Sequence, residues 1–119
     1  MILTDTHTHL YYQTDPEQLD SLMQRALENN VERLFLPNVN VQSVPLVMNL
    51  AARYPENCFP MLGLHPCDVK EAPTEEVSGY LDELAGIERL IADQRIYAIG
   101  EIGIDLYWDK STLAIQQDA

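Results

Sequence analysis

The sequence predicts an α/β protein built on a parallel sheet, and three observations carry that reading. Short apolar runs alternate with segments of helical period in the order β-α-β-α-β-α-β, followed by the start of another α; such alternation implies parallel strands joined by right-handed crossovers. Three of the four strands end in polar residues, His7 and His9 after the first, His65 after the third and Glu101 after the fourth, and that edge is where parallel α/β folds place their chemistry. No low-complexity segment or hinge-like linker interrupts the 119 residues, a length that suits one domain with a moderate core.

The first strand opens on Ile2-Leu3 and runs into Asp5-Thr6-His7-Thr8-His9. Alternate side chains of an extended strand share a face, so Asp5, His7 and His9 are expected to point the same way. Tyr11-Tyr12-Gln13-Thr14 reads as a loop. Asp15 then caps a helix, Pro16 fits the first turn where no amide donor is needed, and Gln18 stands where a capping box closes. Leu19, Leu22, Met23, Ala26 and Leu27 recur at helical spacing as its buried stripe, and Asn29-Asn30 ends it.

Arg33-Leu34-Phe35-Leu36-Pro37 is too short and too apolar for a surface helix and predicts a buried second strand that stops at its proline. Ser43 is expected to cap the next helix, which carries Leu46, Val47, Leu50, Ala51 and Tyr54 and must stop before Pro55. Residues 59–63 read as the third strand, despite Pro60, and run into Leu64-His65-Pro66-Cys67. A third helix is expected from Thr74-Glu75-Glu76, acidic in its first turn as the helix dipole favours, with Val77, Leu81, Leu84, Ile87 and Ile91 inward and Gly86 as a point where it breaks in two. Residues 97–101 form the fourth strand, and a last helix begins near Ser111 with Leu113, Ala114 and Ile115 as its first apolar residues.

Composition sets limits on function. The formal charge is -12, with 19 acidic against 7 basic residues, which excludes a broad basic surface for phosphate backbones. It does not exclude phosphate chemistry at a bound cation, whose own charge reverses the field locally. No apolar run approaches a membrane span, and the first five residues lack the basic-then-apolar pattern of a signal peptide, so the expectation is a soluble cytoplasmic protein. Cys58 and Cys67 are expected to be reduced thiols.

His7 and His9 could grip one ion together, two neutral imidazoles on rigid backbone with other elements completing the shell; the alternative is a pair of solvated or hydrogen-bonded side chains. Glu101 adds weight to the first reading. An inward carboxylate on an apolar strand needs a cation or a donor network as partner, and the competing partner is an arginine such as Arg33 or Arg95. On strict alternation Tyr97 and Ile99 would face inward with Glu101, leaving Ala98 and Gly100 outside where a helix packs close. His65 reads as a donor to a substrate oxygen rather than a metal ligand, against the alternative of a structural histidine. Cys67 is a weaker candidate for a soft ligand. Gly103 is read as a sharp turn past Glu101, and Asp105 as a turn residue or a support to the site. Tyr107 and Trp108 could stack on a base or pack over a rim.

Taken together, Asp5-Thr6-His7-Thr8-His9-Leu10, Gly63-Leu64-His65-Pro66 and Ala98-Ile99-Gly100-Glu101-Ile102-Gly103-Ile104-Asp105 resemble the TatD family of metal-dependent deoxyribonucleases, within the amidohydrolase-like barrels. The resemblance implies a TIM-type (β/α) barrel, two divalent cations (Mg, Mn or Zn), and hydrolysis of DNA phosphodiesters, usually as a 3′ to 5′ exonuclease. It makes His7 and His9 metal ligands, Glu101 a bridging carboxylate that is also catalytic, and His65 the active-site histidine. Leu106 departs from the tyrosine common in the family after the aspartate, with Tyr107 one place later. A complete barrel takes about 250 residues, so this chain is expected to hold only the first four βα units, residues 1–119 being the N-terminal half of one barrel domain. The family's later ligands, two histidines and an aspartate, then lie outside it.

Other readings remain open at this point. A second is another amidohydrolase-like or PHP-type metal phosphoesterase, which also opens with Asp-x-His-x-His. A third is a non-catalytic half-barrel fragment that assembles with itself or with a separate second half, since a four-stranded sheet has two raw edges. The fragment alone is expected to be inactive on DNA and to self-associate.

Overall fold

The computed structural model describes residues 1–75 and 78–119. Four parallel strands, β1 (Leu3–Asp5), β2 (Val31–Pro37), β3 (Cys58–Leu62) and β4 (Ala98–Ile99), lie side by side in chain order. Helices α1 (Pro16–Glu28), α2 (Val44–Arg53), α3 (Tyr80–Asp93) and α4 (Leu113–Asp118) alternate with them. Sequential order in an all-parallel sheet is what successive βα units give as they wind round a barrel, and the four units here make a half-barrel.

Register explains which face is core. Leu34 pairs with Cys58 and Leu36 with Pro60, and these residues turn to the helices, where Leu34, Leu36, Met23, Leu19, Val47, Leu50 and Cys58 form one buried cluster. A second cluster joins Leu62, Val44, Leu64, Val69 and Ile87 under α3. The opposite face carries a ladder of aromatics, Phe35 against Phe59 at 5.3 Å and Phe59 against Tyr97 at 5.0 Å between ring centroids.

The helix starts show why local signals set the boundaries. Asp15 accepts from the backbone N–H groups of Glu17 and Gln18 and so caps α1. The capping box closes differently from expectation: Gln18 donates to the Asp15 carboxylate, while the Asp15 N–H goes to Gln13 Oε1. In α1 only Leu19 and Met23 are fully buried, and Leu27 is exposed. Asn30 ends the helix in the left-handed region, φ 62°. Ser43 precedes α2 but does not cap it; its hydroxyl donates to the Asn40 carbonyl and accepts from Val39 and Asn40 N–H, closing a tight turn instead.

The third helix corrects the sequence reading. It begins at Tyr80, because Glu83 turns back to accept from Ser78 N–H at 3.0 Å and Val41 N–H at 2.8 Å and so fixes the first turn there. Thr74 and Glu75 precede it, Leu81 is exposed, and the expected inward Val77 and acidic Glu76 lie outside the described residues. Gly86 does not break α3. A Cβ there would meet Val41 Cγ2 at 2.8 Å, so the glycine lets the helix approach the loop after β2.

Candidate metal centre

Every residue singled out at the strand ends arrives at one place, but strand alternation is not what brings them there. β1 stops at Asp5. The Asp5 carboxylate accepts from His7 N–H at 3.0 Å, bending the chain out of the strand, and Thr8 N–H donates to the Phe35 carbonyl, tying the loop to β2. His7 and His9 lie beyond the strand, with their Nε2 atoms 3.1 Å apart.

Glu101 likewise lies past the end of β4, whose ladder bonds run from Tyr97 N–H to Pro60 and from Gly100 N–H to Leu62. The inward set predicted by alternation is therefore corrected. Ile99 pairs with Leu62, on the helix face, and Gly100 lies against the Met61 side chain. Tyr97 keeps to the aromatic face with Phe59.

The Glu101 carboxylate is the hub. Its Oε2 lies 3.2 Å from His7 Nε2 and 3.5 Å from His9 Nε2, and its Oε1 lies 3.2 Å from His65 Nε2. Arg33 and Arg95 are not its partners; Arg95 stands over the Tyr97 ring. Among the described residues, Glu101 Oε2 is buried without a hydrogen bond of its own. His7, His9 and Glu101 each offer one donor atom within 4.8 Å of the others. Two imidazole nitrogens 3.1 Å apart fit a cation about 2.1 Å from each, and an orphaned carboxylate oxygen facing them is the third donor such an ion needs. The residues fit a divalent cation.

Burial, and then the neighbouring His7, lower the pKa of His9 from its ordinary value, which favours the neutral ring that a metal ligand must be. His65 Nδ1 accepts from Cys67 N–H at 3.0 Å, so the neutral ring carries its proton on Nε2 and donates it to Glu101. That makes His65 a donor in this arrangement.

Cys67 is not in this cluster: its thiol faces Asp105 at 3.5 Å, and burial pushes its pKa up. Cys58 is buried in the core, its thiol pushed up to about 12 by desolvation. Asp105 is a turn residue, accepting from Tyr107 N–H, with Gln116 bracketing its backbone. Gly103 sits at φ 142°, where only glycine is at ease, and turns the chain after Glu101. Tyr107 and Trp108 pack edge to face at 4.8 Å and are both about 80% exposed.

Sequence reasoning missed two contributors. Asn38, fully buried, accepts from Gly63 N–H at 2.7 Å and donates to the Asn40 carbonyl, pinning the segment that carries His65. A polar residue at the end of a parallel strand was the available signal. Tyr11, read as loop, is buried with its hydroxyl 2.7 Å from His9 Nδ1. Nothing in its spacing marks it.

Residues 4–119 match the family described as TatD related DNase. The chain belongs to this family. It is 32% identical to the uncharacterized metal-dependent hydrolase YabD of Bacillus subtilis over 117 residues, covering 98% of this chain and 43% of that protein. It is 32% identical to the 3'-5' ssDNA/RNA exonuclease TatD of Dickeya dadantii, covering 94% and 39%. The crystal structure of YjjV, a TatD homolog from Escherichia coli, superposes with a TM-score of 0.78 at 26% identity, covering 97% of this chain and 42% of that one. The half-barrel is thus a partial TIM-type barrel, and the chain spans about two fifths of the length of the relatives it matches. Relatives named metal-dependent hydrolases agree with a cluster suited to a divalent cation. Among the described residues no helix is long and apolar enough to cross a membrane.

Proposed function

We propose that residues 1–119 are the N-terminal half of a TatD-type barrel domain that hydrolyses DNA phosphodiesters, as a 3′ to 5′ exonuclease working with two divalent cations, in the cytoplasm. The observation that supports it most is Glu101 Oε2, buried and, among the described residues, without a hydrogen bond, 3.2 Å and 3.5 Å from two imidazole nitrogens. His7, His9 and Glu101 would hold the metal, with Glu101 placed between two ions. Bound there, divalent cations supply polarisation of a phosphoryl oxygen and a lowered pKa for water. Glu101 keeps the two imidazoles converged, and His65 holds Glu101 by its Oε1 and offers its Nε2–H to a phosphoryl oxygen that displaces the carboxylate. Tyr107 and Trp108, exposed on the loop after Glu101, offer faces on which a base can stack. Relatives named deoxyribonuclease and exonuclease support the substrate class.

The test is release of nucleotides from a 3′-labelled single-stranded oligonucleotide with manganese, by a polypeptide in which this half is joined to the remaining βα units. Glu101→Gln should abolish turnover and leave the fold intact. Near wild-type turnover would remove Glu101 from the mechanism.

A second reading has its own observation. Ile2, Ile99, Ile102 and Ile104 are more than half or about half exposed, and among the described residues β4 is paired on one side only. We infer that this half-barrel associates with itself or with a complementary half, and that 1–119 alone is inactive on DNA. Size exclusion decides it: an oligomer is expected, and an active monomer would refute both the association and the need for further ligands.

A further inference from the structure

We propose that Tyr11 is a positioning residue that fixes the tautomer of His9, so that His9 Nε2 presents a lone pair toward Glu101 Oε2 and a divalent cation. The inference rests on the reading of His9 as a metal ligand and goes beyond it by naming what makes His9 one.

Tyr11 sits in the core cluster with Leu19, Met23, Leu34, Leu36 and Val47 and is only 3% exposed, so its hydroxyl has few partners to choose from. It lies 2.7 Å from the Pro37 carbonyl oxygen and 2.7 Å from His9 Nδ1. A carbonyl can only accept, and a phenol has one hydrogen, so that hydrogen is spent on Pro37. The short contact with His9 then needs its hydrogen from the ring. His9 Nδ1 carries the proton, and a neutral imidazole has only one. Nε2 is left bare. That atom is the one 3.1 Å from His7 Nε2 and 3.5 Å from Glu101 Oε2.

The relay works against a local pull. Before any cation binds, the Glu101 carboxylate beside Nε2 rewards a proton on that nitrogen, which is the tautomer that cannot ligate. A buried hydroxyl that accepts at Nδ1 opposes it. His65 shows the reverse setting in the same cluster, because the Cys67 N–H donates to its Nδ1 and leaves the proton on Nε2. Two histidines that converge on one carboxylate are thus given opposite tautomers by partners of opposite sense, an acceptor for the ligand and a donor for the proton-bearing group. The partner beyond a ligating histidine fixes ring orientation and raises ligand basicity. Pro37 also favours a proton on His9, so a Tyr11→Phe variant measures the share that belongs to the hydroxyl.

The experiment is long-range 1H–15N correlation of the histidine rings in the metal-free chain at about pH 8, where free imidazoles are neutral, together with zinc affinity by competition with a chelating dye. Wild type should show His9 protonated at Nδ1 and His65 protonated at Nε2. Tyr11→Phe keeps the ring that fills the core; it should shift His9 toward the Nε2–H form, leave His65 unchanged, and lower zinc affinity by about 10- to 100-fold. Wild-type His9 protonated at Nε2 would overturn the proposal, whether or not the variant folds. So would a lost affinity in Tyr11→Phe with the His9 tautomer unmoved, since that assigns the residue to packing. An Nδ1–H His9 in a wild-type chain with no zinc affinity would instead sink the metal reading and leave the relay standing.

Discussion

Replacing Gly63 by alanine should damage the candidate metal centre from a distance, and its size can be worked from the contacts. A Cβ on Gly63 would stand 2.8 Å from the Glu101 carbonyl oxygen, 2.8 Å from Ile102 Cγ2 and 2.9 Å from the Gly100 carbonyl carbon. Two of these are backbone atoms, which have no rotamer to escape into. Relief to ordinary contact moves the 100–102 segment by about half an ångström, and overpacking of this kind costs about 1–3 kcal/mol. Alanine recovers roughly 0.4–1 kcal/mol by restricting the unfolded chain. The net loss is then at most about 2.6 kcal/mol, which at an m-value of about 2 kcal/mol/M lowers the urea midpoint by up to roughly 1.3 M.

The larger effect is on function, because the segment that retreats carries Glu101. Metal sites tolerate ligand displacements of only about 0.2 Å, so zinc or manganese affinity by calorimetry should fall at least about tenfold. Gly86→Ala is the control. It meets a side chain, Val41 Cγ2 at 2.8 Å, rather than the backbone that carries Glu101, and should cost stability without changing affinity. A Gly63→Ala protein with wild-type metal affinity would refute the claim that this glycine sets the position of Glu101.

Two further outcomes follow from the same geometry. Asn38→Ala removes a fully buried amide and leaves Gly63 N–H without its partner, while the Asn40 carbonyl keeps the Ser43 hydroxyl; at about 1–3 kcal/mol per buried unsatisfied group it should destabilise by about 1–3 kcal/mol in urea unfolding, and a loss below about 0.5 kcal/mol would contradict the pin. The lowered pKa of His9, caused first by burial and then by His7, means the unfolded chain takes up this proton before the folded one as pH falls. His9 therefore contributes stability above its unfolded value near about 6.5 that is lost as pH falls through the lower folded value, and metal binding weakens over the same range. Urea midpoints at pH 7.5 and 5.5 should differ less in His9→Gln than in wild type; an equal difference would remove His9 as the cause.

How far the sequence carried the fold follows from which forces are local. The caps at Asp15 and the apolar runs at Leu34-Phe35-Leu36 announce themselves, because hydrogen-bonding side chains and strand burial act within a few residues. The start of α3 does not, since it depends on Glu83 meeting Val41 and Ser78 N–H, a contact closed only when the chain folds back. The site was legible as a set of residues at strand ends, and less so as a geometry. His7, His9 and Glu101 converge by turns past the ends of β1 and β4 rather than by the period of two. Tyr11 reaches His9 from a short 3-10 turn, and Asn38 reaches Gly63 from the end of β2, where only tertiary packing assigns a partner.

The most direct measurement is anomalous diffraction from crystals of residues 1–119 grown or soaked with manganese. The account predicts a peak within about 2.0–2.3 Å of His7 Nε2, His9 Nε2 and Glu101 Oε2 together, with His65 Nε2 turned to Glu101 Oε1 rather than to the ion. A crystal saturated with manganese that shows no peak there, or one in which the ion takes His65 and leaves Glu101 Oε2 bare, would contradict it.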